Sequence, residues 1–119
     1  MKTLQEIFDT AYLGLAKQGF QTSINDDETC VYRGPDGMKC AIGHCILDND
    51  YRGDMDNSEC PWGYGDFAEN GFFKGISGED FSALQKCHDD AETPFGMRRA
   101  LKVFAAERGL TVPQVEGQI

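Results

Sequence analysis

The sequence predicts an α+β domain, with about four helices around a small β-hairpin and a long, ordered but irregular segment. Three observations carry this prediction. Apolar residues recur at helical spacing behind recognisable caps near both ends of the chain. A Pro-Asp-Gly turn sits between short runs suited to strands. Between Asp48 and Ile76 periodicity disappears, yet Trp62, Tyr64, Phe67, Phe72 and Phe73 remain.

The first helix follows from Thr3 and Glu6, which have the spacing of a capping box. Leu4, Ile7, Phe8, Ala11, Tyr12 and Leu15 then fall on one helical face. Gly19 is placed to stop the helix in a left-handed conformation, and Phe20 would fold back on Leu15. The hairpin is expected in CVYRGPDGMKC. Cys30, Val31 and Tyr32 suit a strand, and Pro35, Asp36 and Gly37 suit a type I-like turn. If Gly34 faces Gly37 across it, Cys40 faces Val31 and not Cys30. A short helix is expected in KCAIGHCIL, where Ala41, Ile42, Cys45 and Ile46 form a stripe. Gly43 weakens that helix by roughly 1 kcal/mol unless close packing needs the missing side chain.

Residues 48–76 read as a long irregular segment, of the kind that is often functional. Its aromatic residues imply order. Ser77 is placed to cap the next helix, with Glu79 and Asp80 in the first turn and Phe81, Leu84 and His88 on one face. Thr93 and Pro94 start the last helix, Met97, Leu101, Phe104 and Ala105 form its stripe, and Gly109 ends it. The tail TVPQVEGQI either packs in extended form or frays.

A chain of 119 residues is expected to form one domain, spanning 1–119. It has no apolar run long enough to cross a bilayer, and MKTLQEIFDT lacks the apolar core of a signal peptide. A cytosolic protein is the expectation. The cysteines Cys30, Cys40, Cys45, Cys60 and Cys87 are an odd number, which argues against a disulfide framework.

Charge is the most informative bulk property. Residues 48–92 hold twelve acids against Arg52, Lys74 and Lys86, and this block accounts for the whole net charge of −9. Nucleic-acid binding through a basic face is disfavoured, because phosphate binding needs clustered Lys and Arg. A basic partner is the natural complement.

DNDYRGDMDNSE comes close to a calcium-binding EF-hand loop, with Asp48, Asp50, Gly53 and Glu59 at ligand or turn positions. Arg52 stands where an oxygen ligand belongs, the outgoing segment CPWGYG opposes a helix, and no sister loop is present. Calcium is therefore set aside. Zinc remains an alternative through Cys30, Cys40, His44 and His88, although these residues match no knuckle spacing. A Cys–His nucleophile is a further alternative, with His44 or His88 as base and Asp89 or another acid orienting it. An acidic surround opposes it by raising the thiol pKa. There is no phosphate-binding glycine loop and no nucleophile elbow.

CVYRGPDGMKCAIGHCILDNDY and LQKCHDD resemble segments of a group of small, uncharacterised phage and prophage proteins. That group shares an amphipathic first helix, a C-x-YR…G-x-KCA-x-G segment followed by I-x-D-x-x-Y, and a late L-Q-x-x-HDD segment. The matching positions are Cys30, Tyr32, Arg33, Gly37, Lys39, Cys40, Ala41, Gly43, Ile46, Asp48, Tyr51, Leu84, Gln85, His88, Asp89 and Asp90. Most of the chain outside 52–76 is covered. The resemblance carries no biochemistry, but it implies a phage-encoded protein in the host cytoplasm whose role is to bind a host protein. An inhibitor of host defence of the anti-CRISPR type is one such role. Carboxylates can imitate a phosphate array and occupy a basic nucleic-acid channel. On this reading Asp50, Asp54, Asp56, Glu59, Asp66 and Glu69 supply charge. Trp62 and Tyr64 either anchor the interface or fill the core.

Overall fold

The computed structural model describes residues 3–25, 29–57 and 59–114. The tail expectation beyond Gln114 lies outside these residues. The described residues form four α-helices: α1 (Leu4–Lys17), α2 (Tyr64–Glu69), α3 (Gly78–Asp89) and α4 (Pro94–Glu107). The described residues contain no strand, only isolated antiparallel bridges between Ile24 and Cys30 and between Arg33 and Lys39. The fold is all-α, which overturns the α+β expectation and its hairpin.

The physical reason lies in where two backbone amides point. The N–H groups of Tyr32 and Arg33 donate to the carboxylate of Asp56, at 2.7 and 3.1 Å. A side chain thus takes donors that a hairpin would direct to a second strand. The turn itself forms, but Asp36 (φ 59°) and Gly37 (φ 76°) are both left-handed, so it is not type I. Its register also differs from the expected one, since Gly34 N–H donates to Met38 C=O at 2.8 Å.

The helix expected in KCAIGHCIL is reduced to a single 3-10 turn, Gly43–Cys45. Ala41, Ile42 and Ile46 are nevertheless buried as their spacing suggested. A Cβ at Gly43 would collide with the carbonyl oxygen of Tyr32, so close packing does require glycine here. The short helix α2 was not legible in advance. It lies in the segment read as irregular, which also contains a 3-10 turn at Gly53–Asp56.

The caps of α1, α3 and α4 follow the sequence reading. Thr3 Oγ1 accepts from Glu6 N–H, and Glu6 Oε1 accepts from Thr3 N–H. Ser77 Oγ accepts from Asp80 N–H, and Thr93 Oγ1 accepts from Gly96 N–H. The C-terminal stops share one geometry. Phe20 N–H reaches Leu15 C=O at 2.7 Å, Phe72 N–H reaches Phe67 C=O at 2.8 Å, and Leu110 N–H reaches Ala105 C=O at 2.8 Å. The glycine before each (Gly19, Gly71, Gly109) is left-handed, and an apolar residue is delivered back onto the helix it has just left.

Helix α1 packs against the 43–45 turn and against α4, while α3 packs against α4 and α2. Two aromatic centres result. In the first, Phe8 stacks on Phe104 at 5.8 Å and meets Tyr12 at 5.8 Å. In the second, Phe67 of α2 is fully buried and touches Tyr32, Trp62, Phe72, Phe73 and Phe81, with ring centroids 5.1–5.8 Å away. Edge-to-face geometry dominates this second cluster, the arrangement that aromatic quadrupoles favour. The segment 48–76 is thus a lobe wrapped round one phenylalanine.

Candidate functional site

Three residues of the phage-protein resemblance, Gln85, His88 and Asp89, join Ile42 and Ser23 in a hydrogen-bond chain. Ile42 N–H donates to Gln85 Oε1 at 3.0 Å, and Gln85 Nε2 donates to Asp89 Oδ1 at 3.3 Å. The same oxygen faces His88 Nδ1 at 2.8 Å, and His88 Nε2 accepts from Ser23 N–H at 2.7 Å. His88 and Ser23 are fully buried. Arg33 belongs to a neighbouring knot. It bonds Asp48 and the Ile46 carbonyl at 2.7 Å each and lies 4.7 Å over the Tyr51 ring. These contacts tie the loop before α2 to α3.

The zinc alternative can be tested on this geometry. Of the four residues proposed for it, Cys30 and His88 converge, and Asp89 joins them; their ligand atoms lie within 4.8 Å of one another. Cys40 and His44 are not in the cluster. Cys40 Sγ accepts from Gly43 N–H at 3.3 Å, and His44 Nε2 bonds Gln18 Oε1 at 2.9 Å. The donor set does not fit a metal ion. A backbone N–H can only donate, so the lone pair of His88 Nε2 is taken by Ser23 and the ring proton sits on Nδ1, facing Asp89. A metal on Nδ1 would move that proton to Nε2, against the Ser23 N–H. Burial first, and then the neighbouring Asp89 carboxylate, push the Cys30 thiol up to about 11, which disfavours the thiolate a metal needs.

The same facts oppose a cysteine nucleophile. Burial pushes Cys40 up to about 12 and Cys87 to about 11. His88 has no free lone pair. His44 is lowered to about 4, chiefly by burial, and its ring rests where a Cβ on Gly14 would otherwise stand.

The residues proposed for charge and contact separate into two groups. Asp50, Asp54, Glu59, Asp66 and Glu69 are exposed on the 48–69 lobe. Met55 and Phe67 anchor that lobe in the core, and the bond from Trp62 N–H to Met55 C=O at 3.1 Å closes it. Arg52 is its single base, at 3.4 Å from Asp54 and 4.7 Å over the Trp62 ring. Asp66 also caps α2 by accepting from Gly63 N–H at 3.0 Å.

Asp56 departs from the expectation that it supplies surface charge. It turns inward, accepting from the Tyr32 and Arg33 amides and from Tyr51 O–H at 2.7 Å. Its role is structural. Trp62 and Tyr64 are also tied to the core. Both are half-buried, with Trp62 against Phe67 and Tyr64 against Phe81, and Tyr64 O–H is spent on the Ile76 carbonyl at 2.7 Å. Asp48 is exposed but held by Arg33, with Lys39 3.7 Å away. The bond from Arg33, then the Lys39 charge, keeps its carboxyl below the usual range.

Sequence reasoning missed the apolar group exposed immediately before the lobe. Leu47 is 65% exposed and lines a cleft of about 400 Å³ together with Ile7, Cys45, Phe72, Phe73, Asp50 and Lys74. Leu47 lies just outside the stripe that ends at Ile46, and this was the available signal. No family model, curated protein or solved structure matches the chain.

Proposed function

We propose that the protein is a small, phage- or prophage-encoded binding module that engages a basic host protein through the carboxylate lobe at 48–69. The partner class that fits is a nucleic-acid-handling complex with a Lys/Arg-lined channel. Occupying that channel would make the protein an inhibitor of host defence. The supporting observation is the contrast within one short segment. Asp50, Asp54, Glu59, Asp66 and Glu69 face solvent, while a single base, Arg52, accompanies them. Attachment of the lobe around Phe67 holds these charges on a preformed frame, which lowers the ordering cost of binding. Leu47 and the cleft beside Asp50 give the lobe an apolar contact.

The test uses purified DNA-targeting nuclease complexes and labelled target DNA. Added protein is expected to reduce DNA binding, less so as salt rises. The combined variant Asp54→Lys, Glu59→Lys, Glu69→Lys is expected to lose inhibition. Equal inhibition by this variant and the parent would remove the reading. Asp56 is left out of the combination because its loss would damage the fold.

A further inference from the structure

The acidic lobe has a counterpart elsewhere on the chain. Phe95, Arg98, Arg99 and Lys102 follow i, i+3, i+4, i+7 spacing on α4 and therefore share a face. Together they line a shallow depression of about 140 Å³. Phe95 is 70% exposed, more than any other large apolar residue among the described ones, and Val103 beside the stripe is 50% exposed. Neither Arg99 nor Lys102 has an acidic partner among the described residues. This basic and aromatic face stands on a molecule of net charge −9.

We propose that this face of α4 docks the carboxylate lobe of a second copy of the chain, giving a head-to-tail association. The complementary pieces are on one polypeptide. The lobe offers exposed Asp54, Glu59 and Glu69, and α4 offers Arg99 and Lys102 with exposed Phe95. No ion pair joins the two surfaces among the described residues. Contact between different surfaces of like subunits is heterologous, so it builds chains unless the rotation closes a ring.

Range decides whether two anions can associate in this way. At about 0.15 M salt the screening length is about 8 Å, so opposed charges in contact attract while the rest of each molecule is screened. The molecule measures 35 × 32 × 23 Å. At about 0.01 M salt the screening length of about 30 Å is comparable with these dimensions, and the net charges repel as wholes. A nucleic acid is the weaker candidate occupant. Arg98, Arg99 and Lys102 would release few counterions from a duplex, and the net charge opposes binding. The inference shares the lobe with the function proposed above but not its partner, and the two can fail separately.

Sedimentation velocity of the full chain, over a range of protein concentrations, tests the proposal. The parent is expected to associate reversibly at about 0.15 M salt and less at about 0.01 M and about 1 M. Arg99→Glu with Lys102→Glu should be monomeric throughout, as should Asp54→Lys with Glu59→Lys and Glu69→Lys. An equimolar mixture of the two variants should associate again, because each supplies the surface the other has reversed. All these side chains are exposed, and circular dichroism confirms folding of each variant. Phe95→Ala, which changes no charge, should weaken the association. A parent that stays monomeric at every salt, association that only strengthens with salt, or a mixture that stays monomeric would each overturn the proposal. So would a labelled single-stranded oligonucleotide that binds through Arg99 and Lys102 while the protein remains a monomer. The Arg99/Lys102 variant keeps the lobe intact, so its inhibition of nuclease complexes reports on the proposed function independently.

Discussion

At the scale of single residues, close approach matters more than residue type. Gly43 and Gly53 look alike in the sequence, and neither has a left-handed φ. A Cβ on Gly43 would strike backbone at Tyr32, whereas one on Gly53 would meet open space. Backbone cannot step aside as a flexible side chain can. Gly43→Ala is therefore expected to cost about 1–3 kcal/mol. Gly53→Ala should be neutral or stabilising by about 0.4–1 kcal/mol, through a more restricted unfolded chain. Chemical denaturation of the two variants checks this; equal effects would refute the packing account of Gly43. Asp56 makes the same point among acids. The sequence marks it only as one carboxylate in an acidic run, and nothing local distinguishes it from Asp54.

At the scale of elements, legibility tracks locality. The starts and stops of α1, α3 and α4 could be read because a cap is written within a few residues: Thr3 with Glu6, Ser77 with Asp80, Thr93 with Pro94. Helix α2 was hidden, since its six residues are introduced by Gly63 and contain Gly65. Burial of Phe67 holds it, and that is a tertiary effect. The hairpin failed for a similar reason, because Asp56 lies far along the chain from the amides it captures. The candidate site was legible in its charge. It was not legible in its geometry, because inward Asp56 and outward Leu47 are set by packing.

The junction of α1 with the 43–45 turn has a pH signature. His44 is held down to about 4 from an ordinary value of 6.5, first by burial and then by Lys39 and other neighbouring cations. A lowered folded value favours the neutral ring. Its contribution to stability is thus present above pH 6.5 and is lost as pH falls towards 4. Asp48, depressed from 3.8, acts in a lower window. Urea unfolding followed from pH 7 to 4 should show a steep acid limb in the parent and a shallower one in His44→Gln. Identical limbs would exclude His44 as the cause.

At the scale of the whole molecule, charge and scaffold are separable. Reversing Asp54, Glu59 and Glu69 relieves self-repulsion and breaks one exposed pair, Arg52 with Asp54, so stability should move by no more than about 1 kcal/mol. Asp56→Ala strands two amides and a tyrosine hydroxyl and should cost about 1–3 kcal/mol by itself. Thermal melts of the triple and single variants test that ordering, and a triple variant less stable than Asp56→Ala would reverse it. The bonds running from Ile42 through Gln85, Asp89 and His88 to Ser23 have a practical corollary. They tie Ser23 and Ile42 to α3 without using any side chain between Glu59 and Glu69. The exposed positions of that interval can therefore be exchanged while its buried side chains stay. Libraries randomised at Glu59, Gly65 and Glu69, with Trp62, Asp66 and Phe67 kept, would display new recognition surfaces on an unaltered chassis.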